Sequence, residues 1–152
     1  MNAVGIDVSK GKSMVAALRP MGEVALLPQE FLHTEVGLEQ MAYAIIALGE
    51  DTRVIMEATG RYHEPVAAAL HEYGIYVCVL NPLFIKQSGG GSIRKVKTDK
   101  ADAMKIAKYG LDKWADPRVR TSIDMRCSDI LLVRETFSTE VVGIMLISHL
   151  HV

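Results

Sequence analysis

Four carboxylates stand where a predicted strand ends or a predicted helix begins, positions at which a fold can gather side chains from distant parts of a chain. They are Asp7, Glu57, Asp99 and Asp102. An ionised carboxylate inside the apolar segment 4–8 is costly unless a cation compensates its charge. The two aspartates three residues apart share one face of a helix. Oxygen ligands suit magnesium or manganese, and no cysteine or histidine spacing suits zinc. The set therefore predicts a divalent metal site at one rim of a sheet.

A site of this kind has a defined chemistry. Ligands gather at the carboxyl ends of strands in α/β sheets, and Glu57 ends a short apolar segment. Two divalent ions about 3.5–4 Å apart can stabilise both the attacking and the leaving oxygen of an in-line phosphoryl displacement. The four carboxylates are therefore candidates for both metal binding and catalysis of phosphoryl transfer.

Each carboxylate also has an ordinary structural interpretation. Asp7 could be a partly exposed residue or a partner of Lys10, and Glu57 could be a solvated loop residue or a partner of Arg61. The two aspartates at the helix start could cap free N–H groups and complement the helix dipole. Capping and metal binding are compatible, because one aspartate can cap while the other binds metal. The combination of four carboxylates at one rim favours the metal site.

Basic residues surround the helix start that carries the two aspartates. Between positions 86 and 108 they are Lys86, Arg94, Lys95, Lys97, Lys100, Lys105 and Lys108. The whole chain has a net charge of only −1, so a surface for a polyanion must be local. Cations spaced along the glycine-rich segment 89–97 can follow a phosphate backbone, although solvated lysines are the common alternative. We expect nucleic acid to contact Lys10, Arg94, Lys95, Lys97 and Lys100.

The histidines and serines give no second catalytic site. His63 follows Glu57 by six residues, and it either contacts substrate or lies on the surface of a helix in its first turn. The segments around the other histidines suggest no triad. No nucleophilic residue is assigned to this chain.

The elements that must position these residues follow from hydrophobic periodicity. Strands are predicted at 3–8, 13–18 and 23–32, the last at a sheet edge or bulged because Pro28 cannot donate to a ladder. Thr34 is a good N-cap for a helix that Gly49 ends. A strand at 53–56, a helix at 62–73, a strand at 75–80 and a helix at 98–109 follow. This β-β-β-α-β-α-β-α order predicts a mixed, helix-covered α/β sheet, as in the RNase H-like fold.

The chain changes character after Pro117. Apolar residues recur every three or four positions from Ile130 to Ile144, which predicts a long C-terminal helix. We therefore expect a catalytic domain at 1–117 and the start of a helical, coiled-coil-like region at 118–152. The apolar face of that helix is expected to form a homo-oligomer.

Composition limits the class of protein. The chain has 152 residues and is 49% hydrophobic, so it can bury a real core. No run approaches the roughly 20 apolar residues of a membrane span, so no membrane association is expected. Two cysteines, Cys78 in an apolar segment and Cys127 in a charged one, suggest a reduced, cytoplasmic protein.

Four motifs together resemble a known family. They look like motifs of the DEDD transposases of prokaryotic insertion sequences, a family that includes the pilin-gene invertases. The motifs are the segments 5–10 (GIDVSK), 57–62 (EATGRY), 81–82 (NP) and 97–103 (KTDKADA). Order and spacing agree over roughly residues 3–110. The resemblance implies a RuvC-like (RNase H-like) fold and an acidic tetrad at Asp7, Glu57, Asp99 and Asp102. It also implies magnesium dependence and DNA recombination and, for part of the family, a structured guide RNA.

Three functions follow as alternatives. In the resembled family the chain continues into a second domain with a serine thought to be the nucleophile, and this sequence ends before it. We therefore expect the metal-dependent half of a transposase, with DNA as substrate. The alternative is a truncated module that binds nucleic acid or another subunit without turnover. The segment 5–8 also resembles the first phosphate loop of actin-like sugar kinases, but 152 residues leave no room for their second half.

Overall fold

A mixed sheet organises the residues that the structure, a computed structural model, describes: 1–49, 51–88, 98–116 and 119. Within these ranges the strands are β1 (Asn2–Ser9), β2 (Lys12–Leu18), β3 (Val24–Leu32), β4 (Thr52–Glu57) and β5 (Val77–Leu80). The helices are α1 (Glu35–Ile46), α2 (His63–Glu72), α3 (Pro82–Ser88) and α4 (Asp99–Asp112), with a 3-10 turn at Pro20–Gly22. The strand order is β3-β2-β1-β4-β5. The first three strands are antiparallel, whereas β4 is parallel to both β1 and β5.

Most predicted elements are present, with two differences. The strand β3 lies at the sheet edge, and its pairing with β2 is irregular, as Pro28 predicted. Helix α3 was not predicted, since no element was expected between the strand at 75–80 and the helix at 98–109. Instead Pro82 begins the helix, and the side-chain oxygen of Asn81 accepts a hydrogen bond from Leu83 N at 3.0 Å. Helix α4 continues three residues beyond the predicted end at Tyr109.

The first helix begins as predicted. The hydroxyl of Thr34 accepts a hydrogen bond from the backbone N–H of Gly37 at 3.0 Å. A Cβ at Gly37 would collide with the backbone of Leu32, so this turn requires glycine. The cap therefore fixes where the chain leaves β3 and enters α1.

Helices cover both faces of the sheet. On one face Ala3, Ile55 and Cys78 form a buried cluster with Ile106 and Tyr109 of α4. Residues that alternate with these along the strands, such as Val4, Ile6 and Val54, are also fully buried. Because α4 occupies the first face, the contacting helices α1 and α2 cover the second.

The contact between α4 and β1 is unusually close. A Cβ placed on Gly5 would collide with the backbone of Ala103 and Ala107 in the helix. At the other end of the helix a Cβ on Gly110 would collide with the side chain of Ile55. Glycine at these two positions lets the helix backbone lie directly on the sheet. It also explains why the helix continues through Gly110, a residue that usually weakens a helix.

An arginine fastens the end of α4 to β4. The guanidinium of Arg53 lies 4.0 Å from the centre of the Trp114 ring and donates a hydrogen bond to the Trp114 carbonyl at 2.6 Å. Its other neighbour is the Tyr76 ring, at 5.6 Å. Cation–π contact and a charge-assisted hydrogen bond thus fix the segment after α4.

The elements described here belong to one unit of the chain, Met1–Ser122. The predicted long C-terminal helix and the helical region 118–152 fall outside the described residues, apart from Val119, and so does the glycine-rich segment 89–97. The domain boundary at residue 117 therefore stays a prediction. No helix in the described ranges is long and apolar enough to cross a membrane.

The Gly5 contact gives a direct test of the packing. We expect Gly5→Ala to lower the free energy of unfolding by about 3 kcal/mol, because the new methyl meets helix backbone that cannot rotate away. Gly49→Ala is the control, because its Cβ would lie in open space and its φ of 94° adds only backbone strain, about 1 kcal/mol. Urea denaturation measures both. Equal losses would show that α4 does not depend on close contact at Gly5.

Candidate metal centre and nucleic-acid surface

Asp7 and Glu57 are neighbours at the carboxyl ends of parallel strands. The register of β1 and β4 pairs Gly5 with Ile55 and Ile6 with Met56. Continued by one residue, it places Asp7 beside Glu57. Adjacent strands are about 4.8 Å apart, and residues paired in register point to the same face. Both side chains are half-buried, so two carboxylates share one partly desolvated position at the sheet rim.

The first turn of α4 lies level with this pair. Gly5 contacts the helix at Ala103 and Ala107, whereas Ala3 lies opposite Gly110. Helix and strand therefore run in opposite directions. Two further strand residues advance about 6.7 Å, which equals about four and a half helical residues. Asp7, on the same face as Gly5, is thus level with helix positions 99–102.

Neither aspartate of α4 is its N-cap. That role belongs to Thr98, whose hydroxyl accepts a hydrogen bond from Ala101 N at 3.2 Å. The capping alternative for the aspartates is therefore wrong, although both lie in the first turn and complement the helix dipole. The cap at Thr98 starts the helix at a point where its first-turn carboxylates lie near the sheet rim.

The two helix aspartates differ in surroundings. Asp102 precedes Ile106 and Tyr109 by four and seven residues, so it lies on the side of α4 that packs towards β4 and β5. Its side chain is 19% exposed and forms an ion pair with Lys105 at 3.0 Å. Asp99 is exposed, and its negative charge makes a small contribution to the raised pKa of Lys12.

The structure brings the four carboxylates to one end of α4 without closing them around a common point. Among the residues that it describes, no three His, Cys, Asp or Glu side chains form a group that could hold a metal ion. Lys105 neutralises one carboxylate of the set. The donor chemistry nevertheless fits magnesium or manganese, because the rim presents carboxylate oxygens from two strands and a helix start.

The predicted nucleic-acid contacts divide into two groups. Lys10, in the turn between β1 and β2, and Lys100, in the first turn of α4, are both exposed at the carboxylate end of the sheet. Arg94, Lys95 and Lys97 fall outside the described residues. The two described lysines thus lie at the same end of the sheet as the carboxylates.

Sequence reasoning missed a third cation at this end. Lys12 pairs in register with Ser9 and so shares the face of Asp7. Its ammonium donates a hydrogen bond to Glu30 at 2.8 Å, and this contact raises the pKa of Lys12, with a smaller contribution from Asp99. A signal existed in the sequence, because Lys12 follows the predicted contact Lys10 by two residues and directly precedes the predicted strand at 13–18.

Of the two alternatives for His63, substrate contact or a surface position, the surface position is wrong. Only 3% of the residue is exposed, and it is buried on the same side of α2 as Val66, Ala67 and Leu70. The spacing of these residues, at i, i+3, i+4 and i+7, is that of a buried helix stripe and could have shown this. Burial lowers the pKa of His63, so the ring is neutral at neutral pH.

A serine and a histidine do pair, but away from the carboxylates. Ser13 Oγ lies 2.7 Å from His33 Nε2. Ser13 is fully buried and pairs with Val8, which faces away from Asp7 along the strand. This contact joins β2 to the start of α1 and offers no accessible nucleophile.

Solved structures with the same fold define the class of domain. The chain resembles RuvC of Thermus thermophilus at 15% sequence identity, with a TM-score of 0.52 over 76% of this chain and 96% of that one. It resembles T. thermophilus RuvC in complex with a Holliday junction substrate at 14% identity, with a TM-score of 0.53 over 78% and 97% of the two chains. The predicted α/β, RNase H-like (RuvC-like) fold is therefore confirmed.

Family membership follows from sequence. Residues 4–135 match the DEDD transposase family of the IS110 type, described as a transposase. The chain belongs to this family, as the four motifs predicted, and is a nucleic-acid-acting transposase domain. A comparison with curated protein sequences found no match.

Proposed function

We propose that this chain is the metal-dependent, DNA-acting domain of a transposase, in which Asp7, Glu57, Asp99 and Asp102 hold Mg²⁺ or Mn²⁺. The observation that carries the proposal is the register of β1 and β4, which sets Asp7 beside Glu57 under the first turn of α4. Bound divalent metal would supply positive charge to a phosphodiester that undergoes in-line displacement.

The residues of this chain would prepare the site in two ways. Asp7 and Glu57 sit on rigid strands in the middle of the sheet, so their backbones cannot separate without breaking the ladder. Asp102 would rotate its side chain away from Lys105 and towards the strands. Lys105 could then remain in solvent, because its side chain is 60% exposed. An exposed ion pair contributes little free energy, so a divalent cation can displace it.

DNA is the proposed substrate, in keeping with the transposase family and with the solved RuvC complex with a Holliday junction. The cations proposed to contact its phosphates are Lys10, Arg94, Lys95, Lys97 and Lys100. Three further features stay predictions from the sequence: a structured guide RNA, a homo-oligomer formed through segment 118–152 and a cytoplasmic location.

Manganese should stabilise the folded chain through the carboxylates. At a free concentration 100 times its Kd, the gain is about 2.7 kcal/mol, seen as a higher melting temperature. Asp7→Asn should remove most of this gain. Without metal, the same change should stabilise the protein slightly, because it removes one of two neighbouring negative charges.

Asp112→Asn is the matched control for the manganese experiment. Asp112 is also an α4 carboxylate, but it lies at the far end of the helix, where it pairs with Lys108 at 2.7 Å. It should keep the full response to manganese. If Asp7→Asn and wild type respond equally, the proposed metal site is wrong.

DNA binding should depend on the lysines at the carboxylate end. Replacing Lys10 and Lys100 by alanine should reduce the slope of log K against log salt by about 2, because each removed phosphate contact releases about one counterion fewer. Fluorescence anisotropy with a labelled four-way junction measures the slope. Alanine at Lys108 and Lys113, near the other end of α4, should leave it unchanged. Equal effects of the two pairs would place the DNA elsewhere.

A further inference from the structure

His63 is a buried polar side chain whose hydrogen bonding is incomplete. Neither ring nitrogen has a hydrogen-bond partner among the residues that the structure describes, although 97% of the residue is inaccessible to solvent. A neutral imidazole carries one N–H donor and one acceptor nitrogen. Buried groups without partners are rare in native proteins because each forfeits its hydration, so such a group calls for an explanation in function or conformational change.

The ring faces the loop that follows Glu57. Burial lowers the pKa of His63, and the backbone of Thr59 and Gly60 raises this pKa to a smaller extent, as nearby carbonyl acceptors would. The geometry falls short of a hydrogen bond in this conformation. Gly60 has a φ of 53°, a left-handed conformation that glycine adopts without strain. Glycine at position 60 therefore allows the loop backbone to change conformation next to the ring.

The same loop is tied to Glu57 from its other side. Glu57 pairs with Leu80 of β5, and Ala58 N donates to the Leu80 carbonyl at 2.9 Å. The Thr59 hydroxyl donates to the carbonyl of Glu57 at 3.4 Å, a long contact. The residues between Glu57 and the helix α2 are half-buried or exposed. The Thr59 carbonyl also accepts a hydrogen bond from Tyr62 N at 3.1 Å, so a bond from His63 to that carbonyl would use its second lone pair. The loop is thus held at Ala58 and, by longer contacts, at Thr59.

We propose that His63 is a positioning residue, which donates a hydrogen bond to the Thr59 or Gly60 carbonyl when Glu57 binds divalent metal. The inference rests on the proposed function. With metal bound, the Glu57 side chain would be fixed, the backbone at 59–60 would move towards the ring, and the imidazole would gain its hydrogen-bond partner. Because the two events are coupled, the hydrogen bond adds to the apparent metal affinity. A neutral hydrogen bond of ordinary strength corresponds to about a five-fold change in an equilibrium constant.

The consequence is an opposition between stability and metal affinity at one residue. His63→Leu removes a buried polar group and keeps an apolar side chain of similar size, so the metal-free protein should have a higher urea midpoint than wild type. The same variant should bind Mn²⁺ about five-fold more weakly. His63→Asn keeps an N–H donor and should recover most of the affinity. A histidine with only a packing role would give equal Mn²⁺ affinity in all these proteins.

The experiment is a titration of the full chain with MnCl₂, with free Mn²⁺ measured by electron paramagnetic resonance. His71→Asn is the matched control, because His71 lies on the same helix, two turns further from the loop, and should leave the affinity unchanged. In parallel, ¹⁵N spectra of the histidine rings are recorded with and without Mg²⁺. The ring nitrogens of His63 should shift on metal addition, and those of His71 should not.

The outcomes separate the two proposals. Mn²⁺ binding by wild type with equal binding by His63→Leu overturns the role of His63 and leaves the metal site intact. Weak binding by both His63→Leu and His63→Asn, without a Mg²⁺-dependent shift of the His63 ring, shows a packing effect and also overturns it. Absence of Mn²⁺ binding in wild type overturns the metal site itself and, with it, the role of His63.

Discussion

The backbone contact between Gly5 and helix α4 is the constraint on which the site depends. Any side chain at position 5 would hold the helix away from the sheet, because the atoms it would meet are backbone atoms of Ala103 and Ala107. With glycine there, the helix lies against β1 and β4, and its first turn reaches the level of Asp7. Carboxylates from two strands and one helix start thereby lie at one end of the sheet. The same contact buries the apolar stripe of α4, so packing and site geometry have a single origin.

Charge is distributed around that contact in a way that packing alone does not require. Asp7 and Glu57 are half-buried carboxylates on neighbouring strands. Asp102 forms an ion pair with Lys105, whereas Asp99 makes a small contribution to the raised pKa of Lys12, whose ion-pair partner is Glu30. Exposed lysines are weakly held and easily replaced. The described part of the rim therefore carries carboxylates together with lysines, and our proposal is that divalent metal and DNA phosphates replace some of these contacts.

The sequence allowed prediction of what depends on periodicity and on turn chemistry. The short apolar segments 3–8 and 53–56 placed Asp7 in a strand and Glu57 at the end of one, because these signals are local. Thr34 likewise marked the start of the first helix, which ends at Ile46, three residues before Gly49. The parts that could not be predicted depend on three-dimensional neighbours. Pro82 could either end a strand or begin a helix, and only its surroundings decide.

His63 and the close contact of α4 illustrate the same limit at the site. The polar character of His63 favoured a surface position, whereas its spacing with Val66 and Leu70 placed it in the core. A glycine in an apolar strand could mark a bulge or a close approach, and nothing local distinguished these for Gly5. Register between β1 and β4 joins residues fifty positions apart, so the adjacency of Asp7 and Glu57 became visible only with the sheet in place.

The central claim is that one cation is shared by carboxylates from β1, β4 and the first turn of α4. The most direct measurement is a crystal structure of the chain soaked in manganese, with anomalous diffraction collected to locate the ion. The account predicts an anomalous peak about 2.0–2.3 Å from carboxylate oxygens of Asp7 and Glu57, with an aspartate of α4 completing the set. A manganese ion bound only elsewhere on the protein, with Asp102 still paired to Lys105, would contradict it.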